Sequence, residues 1–298
     1  MPKSIKDLEK PEYKGKIAVT DITSSSTAWL LIQGLISEYG EEDSKEILTD
    51  IYENAGDHLE ESGSGSFGVE SVLGSVVPKD GCVLLLSNGA YGERAAKMCS
   101  YYGISCIHVT QEYNQTPDVK EAEDLLNTHP EITHIMMIHS ETTSGILNDV
   151  ESIGELAKKY GKVFIVDAMS SFAGVEILVK GWHIDFLISS ANKCIQGVPG
   201  FSFIIANKAI LKECKGRARS LSLDLYDQWA GMEKDGKWRY TSPTHVVLAF
   251  EQAMKELEQE GGIQARHAQE MYTYIKERGY AIYPGKLTEI MKSYMEQA

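Results

Sequence analysis

From Cys82 onward the chain alternates short apolar runs with longer amphipathic stretches, and few folds satisfy that rhythm. The strand candidates are Val83–Leu86, Ile104–Val109, His134–Ile138, Val163–Val166 and Phe186–Ile188. Nearly continuous apolar runs of this kind suit strands covered on both faces. Between them lie helix candidates at Tyr91–Tyr102, Val119–Thr128 and Ile153–Tyr160, the last followed by Gly161 as a C-terminal stop. Strands joined by helical crossovers predict an α/β domain, mainly a parallel sheet with helices on both faces. Phe201–Ala206 follows the Pro199-Gly200 turn too closely for a helical crossover, so it is expected to pair antiparallel with the strand before it. Two long helices, Val246–Gln259 and Ile263–Arg278, then leave the sheet.

The first sixty or so residues read differently. Lys16-Ile17-Ala18-Val19 is a short strand, Ser24-Ser25-Ser26-Thr27 can cap a helix, and Glu41–Leu59 is an acidic helical stretch. The run Glu61-Ser62-Gly63-Ser64-Gly65-Ser66 has the composition of a flexible linker. It also leads straight into the apolar, helix-like Phe67–Val77, so the N–H groups of Gly65, Ser66 and Phe67 and the Ser66 hydroxyl can close around a phosphate at a helix start.

Composition removes several classes of partner. With 43 acidic against 29 basic residues the formal charge is -14, which opposes attraction to nucleic acid or anionic lipid. Five cysteines, odd in number and without C-x-x-C spacing, suggest neither a disulfide framework nor a zinc site, and fit a reducing cytoplasm. No signal core or membrane-length apolar run appears.

Ligands of open α/β sheets bind beyond the carboxyl ends of the strands, where two residues stand out. Asp167 ends Lys162–Val166, and Lys193 follows Phe186–Asn192. A carboxylate after an apolar strand is costly to bury unless it meets a cation, and a protonated pyridine nitrogen is one such cation. A lysine amine can condense with an aldehyde and later carry a proton. Taken singly, Asp167 also reads as a helix cap or buried ion pair, and Lys193 as a solvated loop amine. His139 and Cys194 flank these residues, but read as packing groups.

The order of motifs is more specific. Ser189-Ser190-Ala191-Asn192-Lys193-Cys194-Ile195-Gln196-Gly197-Val198-Pro199-Gly200 resembles the cofactor-lysine segment of the 2-aminoethylphosphonate–pyruvate transaminases, a family of class V aminotransferases with pyridoxal phosphate (PLP) fold type I. The resemblance continues through Gly63–Glu70, Asn88–Arg94, His139–Gly145 and Val166–Ser171, covering about residues 62–287. It implies a PLP-binding large domain over 62–260 and the start of a C-terminal small domain over 261–298. It further implies Lys193 as the Schiff-base lysine, Asp167 at the ring nitrogen, Tyr91 stacked on the ring and Thr142 near the 3-oxygen. Gly65, Ser66, Phe67 and Asn192 would surround the phosphate. Trp238–Thr244 resembles the loop that reaches a neighbouring subunit's cofactor, with Thr241 on its phosphate, so a homodimer is implied. Tyr91, Thr142 and Thr241 also read as a packed aromatic, a turn hydroxyl and a cap.

The implied activity transfers the amino group of 2-aminoethylphosphonate to pyruvate, with small amine and 2-oxo acid substrates. Residues 1–61 instead resemble a fragment of ABC-transporter solute-binding proteins of the iron and aminoethylphosphonate type. The family's Pro-Gly-Pro opening and its arginine-bearing small domain have no counterpart, so the small domain is expected to be largely missing and turnover impaired. The competing readings are a PLP-binding dimer without turnover and another class V reaction, such as alanine–glyoxylate transamination.

Overall fold

A computed structural model describes residues 5–14, 19–20, 35–55, 59–60 and 64–267, in two compact units divided after Gly63. In the first unit, short 3-10 turns at Ile5–Glu9 and Pro11–Tyr13 precede helix α1 (Glu41–Ala55). Glu41, Glu42 and Asp43 complement the positive start of α1, while Ile47 and Ile51, one turn apart, are buried. The helix does not reach Leu59 as the sequence suggests. The described helix runs to Ala55, and Leu59–Glu60 forms β2, parallel to β1 (Val19–Thr20). Residues 16–18 of the expected first strand and the Ser24–Thr27 cap lie outside the described residues.

In the second unit the apolar runs become one six-stranded sheet. Its strands are β3 (Cys82–Ser87), β4 (Ser105–Thr110), β5 (Ile132–Ile138), β8 (Val163–Asp167), β9 (Phe186–Ser190) and β10 (Ser202–Ala206), in the order β10-β9-β8-β5-β3-β4. All neighbours are parallel except β10, which runs antiparallel to β9 as its short connection requires. A separate two-stranded hairpin, β6 (Ser140–Glu141) with β7 (Ile146–Leu147), follows β5.

The pleat sends successive side chains to opposite faces. Val83, Leu85, Met136, Ile138, Ile165, Phe186 and Ile188 pack on one side with α2 (Ser64–Val76) and α3 (Ala90–Tyr101). Leu84, Leu86, Ile135, Met137, Phe164, Val166 and Leu187 pack on the other with α4 (Val119–Thr128) and α5 (Val150–Lys159). Caps set the helix starts. Asp118 accepts from Lys120 N–H at 2.7 Å, and Asp149 accepts from Ser152 N–H at 3.0 Å, so α5 begins three residues before the periodicity predicts. α6 (Lys208–Glu213) and α7 (Leu225–Asp235) were not expected; Asn207 and Asp224 cap them, and Gly236, at φ 73°, ends α7. α8 (Thr244–Gln259) follows, and residues 262–267 are again helical.

α2 is pinned at its far end, where Arg217 donates to Val76 O at 3.2 Å and Arg219 to Val77 O at 2.6 Å and Pro78 O at 3.3 Å. Cations there satisfy the carbonyls a helix end leaves over and complement its negative pole. α3 lies so close to β3 that a Cβ on Gly92 would stand 2.2 Å from the Ser87 Cβ and 3.1 Å from its Cα. We expect Gly92→Ala to cost roughly 1–3 kcal/mol through this overlap, read as a lower urea midpoint. An unchanged midpoint would show that α3 can move away from the strand freely.

Candidate active site

β8 ends on Asp167 and β9 is its parallel neighbour, with Asp167 opposite Ile188. Asp167 is 4% exposed, and one carboxylate oxygen accepts the Met169 N–H at 2.9 Å. Burial pushes its carboxyl up to about 6, and the charge of Glu141 adds to the rise; the Met169 N–H, Lys193 and Arg94 pull the other way. Lys193 stands in the turn just past β9. Burial lowers its amine from the ordinary lysine range, while Asp167 and Cys194 pull it up. Each group is thus strained in its charged form by burial and relieved by the other.

The turn carrying Lys193 is closed by Gln196 N–H donating to Lys193 O at 2.7 Å and Gly197 N–H to Ala191 O at 2.9 Å. The Ser190 hydroxyl donates to Asn192 Oδ1 at 3.0 Å. The Cys194 thiol donates to Ser170 O at 3.4 Å, tying this turn to the loop after Asp167. His139, the last residue before the hairpin, gives its N–H to Asp167 O at 2.8 Å and packs edge-on against Trp182. Burial lowers its pKa to about 4, which leaves a neutral packing imidazole.

Gly65, Ser66 and Phe67 form the first turn of α2, so the Gly-Ser run is helical from Ser64. A Cβ on Gly65 would meet Met169 Sδ at 3.2 Å, so this helix start lies close against the Asp167 loop. Arg94 donates to the Ser66 hydroxyl at 3.4 Å, and its guanidinium lies 5.0 Å from the centre of the Tyr91 ring. The Thr142 and Ser170 hydroxyls are hydrogen-bonded at 2.6 Å. The structure therefore groups Gly65, Ser66, Phe67, Tyr91, Thr142, Asp167, Asn192 and Lys193 around one end of the sheet. Thr241 is exposed in the loop before α8 and is not among the side chains linked to that group within its own chain.

Two residues without an assigned place in the sequence reading join the group. Arg94 bridges Ser66 and Tyr91, as above. Glu141 is fully buried, and its Oε1 accepts from Thr143 N–H at 3.1 Å and Thr143 Oγ1 at 2.7 Å. Thr143 Oγ1 in turn accepts from Ala90 N–H at 3.4 Å, so Glu141 braces the start of the helix that carries Tyr91. Its Oε2 has no hydrogen-bond partner among the described residues. The signal that marks Asp167, an acid at the end of an apolar strand, marks Glu141 less clearly, since His139 and Ser140 separate it from the end of β5. No three or more His, Cys, Asp or Glu side chains among the described residues gather as a metal site, and no described helix is long and apolar enough to cross a membrane.

The sheet carries a buried acid, Asp167, and a half-buried lysine, Lys193, at adjacent strand ends, and the aminotransferase class-V family profile matches residues 62–283. The chain belongs to that family. Over 206 residues it is 59% identical to the 2-aminoethylphosphonate–pyruvate transaminase of Klebsiella pneumoniae, covering 69% of this chain and 56% of that one. Over 273 residues it is 48% identical to the bifunctional phosphonoacetaldehyde hydrolase/aminoethylphosphonate transaminase of Clostridioides difficile, covering 76% and 43%. The crystal structure of pyridoxamine–pyruvate aminotransferase from Mesorhizobium loti matches with a TM-score of 0.64 at 26% identity, over 69% of this chain and 53% of that one. The chain spans about half the length of these relatives, and residues 1–61 lie outside the family match.

Asp167 gives a pH signature in cofactor-free protein. Its folded pKa of about 6 exceeds the ordinary 3.8, so the folded state holds the proton more tightly and ionisation opposes folding. The penalty is absent below about pH 4, grows to about pH 6 and stays above it. Asp167→Asn keeps an acceptor for the Met169 N–H and removes the titration. We expect its stability relative to the parent to rise from pH 4 to 6 by at most about 3 kcal/mol, from 6 minus 3.8, or 2.2 pKa units. Parallel pH–stability curves in urea would contradict this.

Proposed function

We propose that this chain is a PLP-dependent transaminase that moves the amino group of 2-aminoethylphosphonate to pyruvate, giving phosphonoacetaldehyde and L-alanine. The observation that carries the reading is the buried Asp167 beside Lys193, with the first turn of α2 against the loop that follows Asp167. The 59% identity to the Klebsiella transaminase supports the choice of substrates.

The donor set suits the cofactor. Asp167, pushed up by burial, is relieved by a pyridinium nitrogen, which would draw its pKa back down. The N–H groups of Gly65, Ser66 and Phe67, the Ser66 hydroxyl and Asn192 suit a phosphate at the positive end of α2. Tyr91 offers a ring face and Thr142 a hydroxyl for the 3-oxygen. Thr241, exposed in its own chain, suits a role at the site of a second copy, which makes a homodimer part of this reading. When bound, PLP supplies an aldehyde that captures amines and a ring that accepts electrons from the adjacent carbon.

The chain's own groups do the rest. Lys193, its amine lowered by burial, is less protonated than an ordinary lysine, so it can serve as the covalent anchor and then carry a proton from the amine-bearing carbon. Asp167 holds the proton on the ring nitrogen, which keeps the ring an acceptor. Arg94, against Ser66 and Tyr91, offers a guanidinium to an anionic group, phosphate or phosphonate. The reading places the reaction in the cytoplasm, where five free thiols are the ordinary state.

The test is alanine formation by purified protein given PLP, 2-aminoethylphosphonate and pyruvate. The parent should form alanine and Lys193→Ala should form none. Asp167→Asn should retain PLP absorbance yet lose roughly 10²-fold or more in rate, as expected for removing a group that stabilises developing charge. Equal rates for parent and Asp167→Asn, or no alanine from PLP-loaded parent, would contradict the proposal.

A further inference from the structure

Arg266 is 3% exposed and has no part in the chemistry above. It lies in the helical residues 262–267 beyond α8, and its fork is divided between two targets. Nε and Nη2 meet Glu260 Oε2 at 2.8 and 2.5 Å. Nη1 donates to Cys194 O at 2.9 Å and to Ile195 O at 3.1 Å. Those are the two carbonyls that directly follow Lys193. Ile195 is also packed in a small cluster with Ala253 and Leu257 of α8.

The turn held in this way is not one the backbone prefers. Gln196 has φ 62°, a left-handed conformation that a residue with a Cβ adopts only at a cost. Such a conformation persists where surrounding contacts over-determine it. A buried guanidinium is itself costly unless its donors are used, and here they are used on this turn and on Glu260. Nη1 alone bridges the two consecutive carbonyls, and its direction is fixed because the planar guanidinium is held by Glu260 on its other nitrogens, which an ammonium could not reproduce.

We propose that Arg266 is a positioning residue for Lys193: by clamping the Cys194 and Ile195 carbonyls it holds the lysine turn so that the amine stays shielded from water near Asp167. This rests on the reading of Lys193 as the reactive amine. The charged and titratable groups around Lys193 are Asp167 from β8 and Cys194 from its own turn, with Glu141 of the hairpin and Arg94 of α3 acting on Asp167. Burial is the largest influence on the amine and lowers its pKa, whereas Asp167 raises it. Loosening the turn admits water, and the midpoint for the amine then moves up.

The experiment uses the full chain without cofactor, treated with an amine-acylating reagent across a pH series, with Lys193 read by peptide mapping. Arg266→Met should shift the Lys193 midpoint upward, and Arg266→Lys should shift it less in the same direction. Leu126→Ala, a core truncation in α4, supplies a comparison for simple loss of stability and should leave the Lys193 midpoint at its parental value. With PLP and substrates, Arg266→Met should also lower kcat roughly 10–100-fold with little change in KM, as a misplaced reacting group does. A parental midpoint in both Arg266 variants overturns the inference, as does an equal shift in Leu126→Ala; if Arg266→Met does not fold, the Arg266→Lys midpoint decides. PLP added to the parent separates the two readings. Failure of PLP to protect Lys193 counts against the cofactor reading, while the cofactor-free midpoints still decide the role of Arg266.

Discussion

A carboxylate carried to the end of a fully covered strand must meet a cation or hold its proton, and Asp167 is caught between the two. Burial alone favours the protonated acid, and Lys193, from the neighbouring strand, favours the anion. The rest of the site serves to keep those opposed groups together. β8 and β9 fix the spacing, the Met169 N–H orients the carboxylate, and the Cys194 thiol joins the two loops. A site that is costly before it binds anything gains from a ligand whose cation meets Asp167 and whose aldehyde meets Lys193. In the proposed reading, such a ligand would offset the two desolvations with an ion pair at Asp167 and a covalent link at Lys193.

The sheet was readable because buried parallel strands leave a strong mark: apolar runs with crossovers between them. All six principal strands fall where the runs predict, and the antiparallel β10 follows from a connection too short for a helix. Helix starts were less readable. α5 begins at Val150 because Asp149 caps it, although the apolar period starts only at Ile153. α6 is only six residues long, too short for a periodic pattern to stand out, whereas α7 carries a readable stripe, Leu225, Tyr226, Trp229 and Met232, besides the cap residues Asp224 and Gly236. At the other end, the acidic stretch Glu41–Leu59 contains one poor helix former, Gly56, and Leu59 pairs in β2, a pairing between distant segments that leaves no local trace.

Within the site, position alone points to Asp167 and Lys193 at strand ends and to Ser66 at a helix start, while Tyr91 and Thr142 are singled out only by the family resemblance. Position relative to a strand end is a one-dimensional property, so it survives in the sequence. The role of Arg94 depends on a bond to Ser66 on another helix, and that of Arg266 on carbonyls far away along the chain. Nothing local distinguishes either arginine from a solvated one. Glu141 is a buried acid that sequence position marks less clearly than Asp167, since His139 and Ser140 separate it from the end of β5. Beside it Thr142 reads as a turn hydroxyl, while the buried Glu141 carboxylate, holding the Thr143 N–H and hydroxyl, braces the turn.

The account stands on Lys193 being the amine that holds the cofactor. The most direct measurement is borohydride reduction of the protein incubated with PLP, followed by proteolysis and mass mapping of the modified peptide. The account predicts a single reduced pyridoxyl group on Lys193, in the peptide that also carries Asn192 and Cys194. A group on another lysine, or no fixed group in protein that retains PLP absorbance, would contradict it.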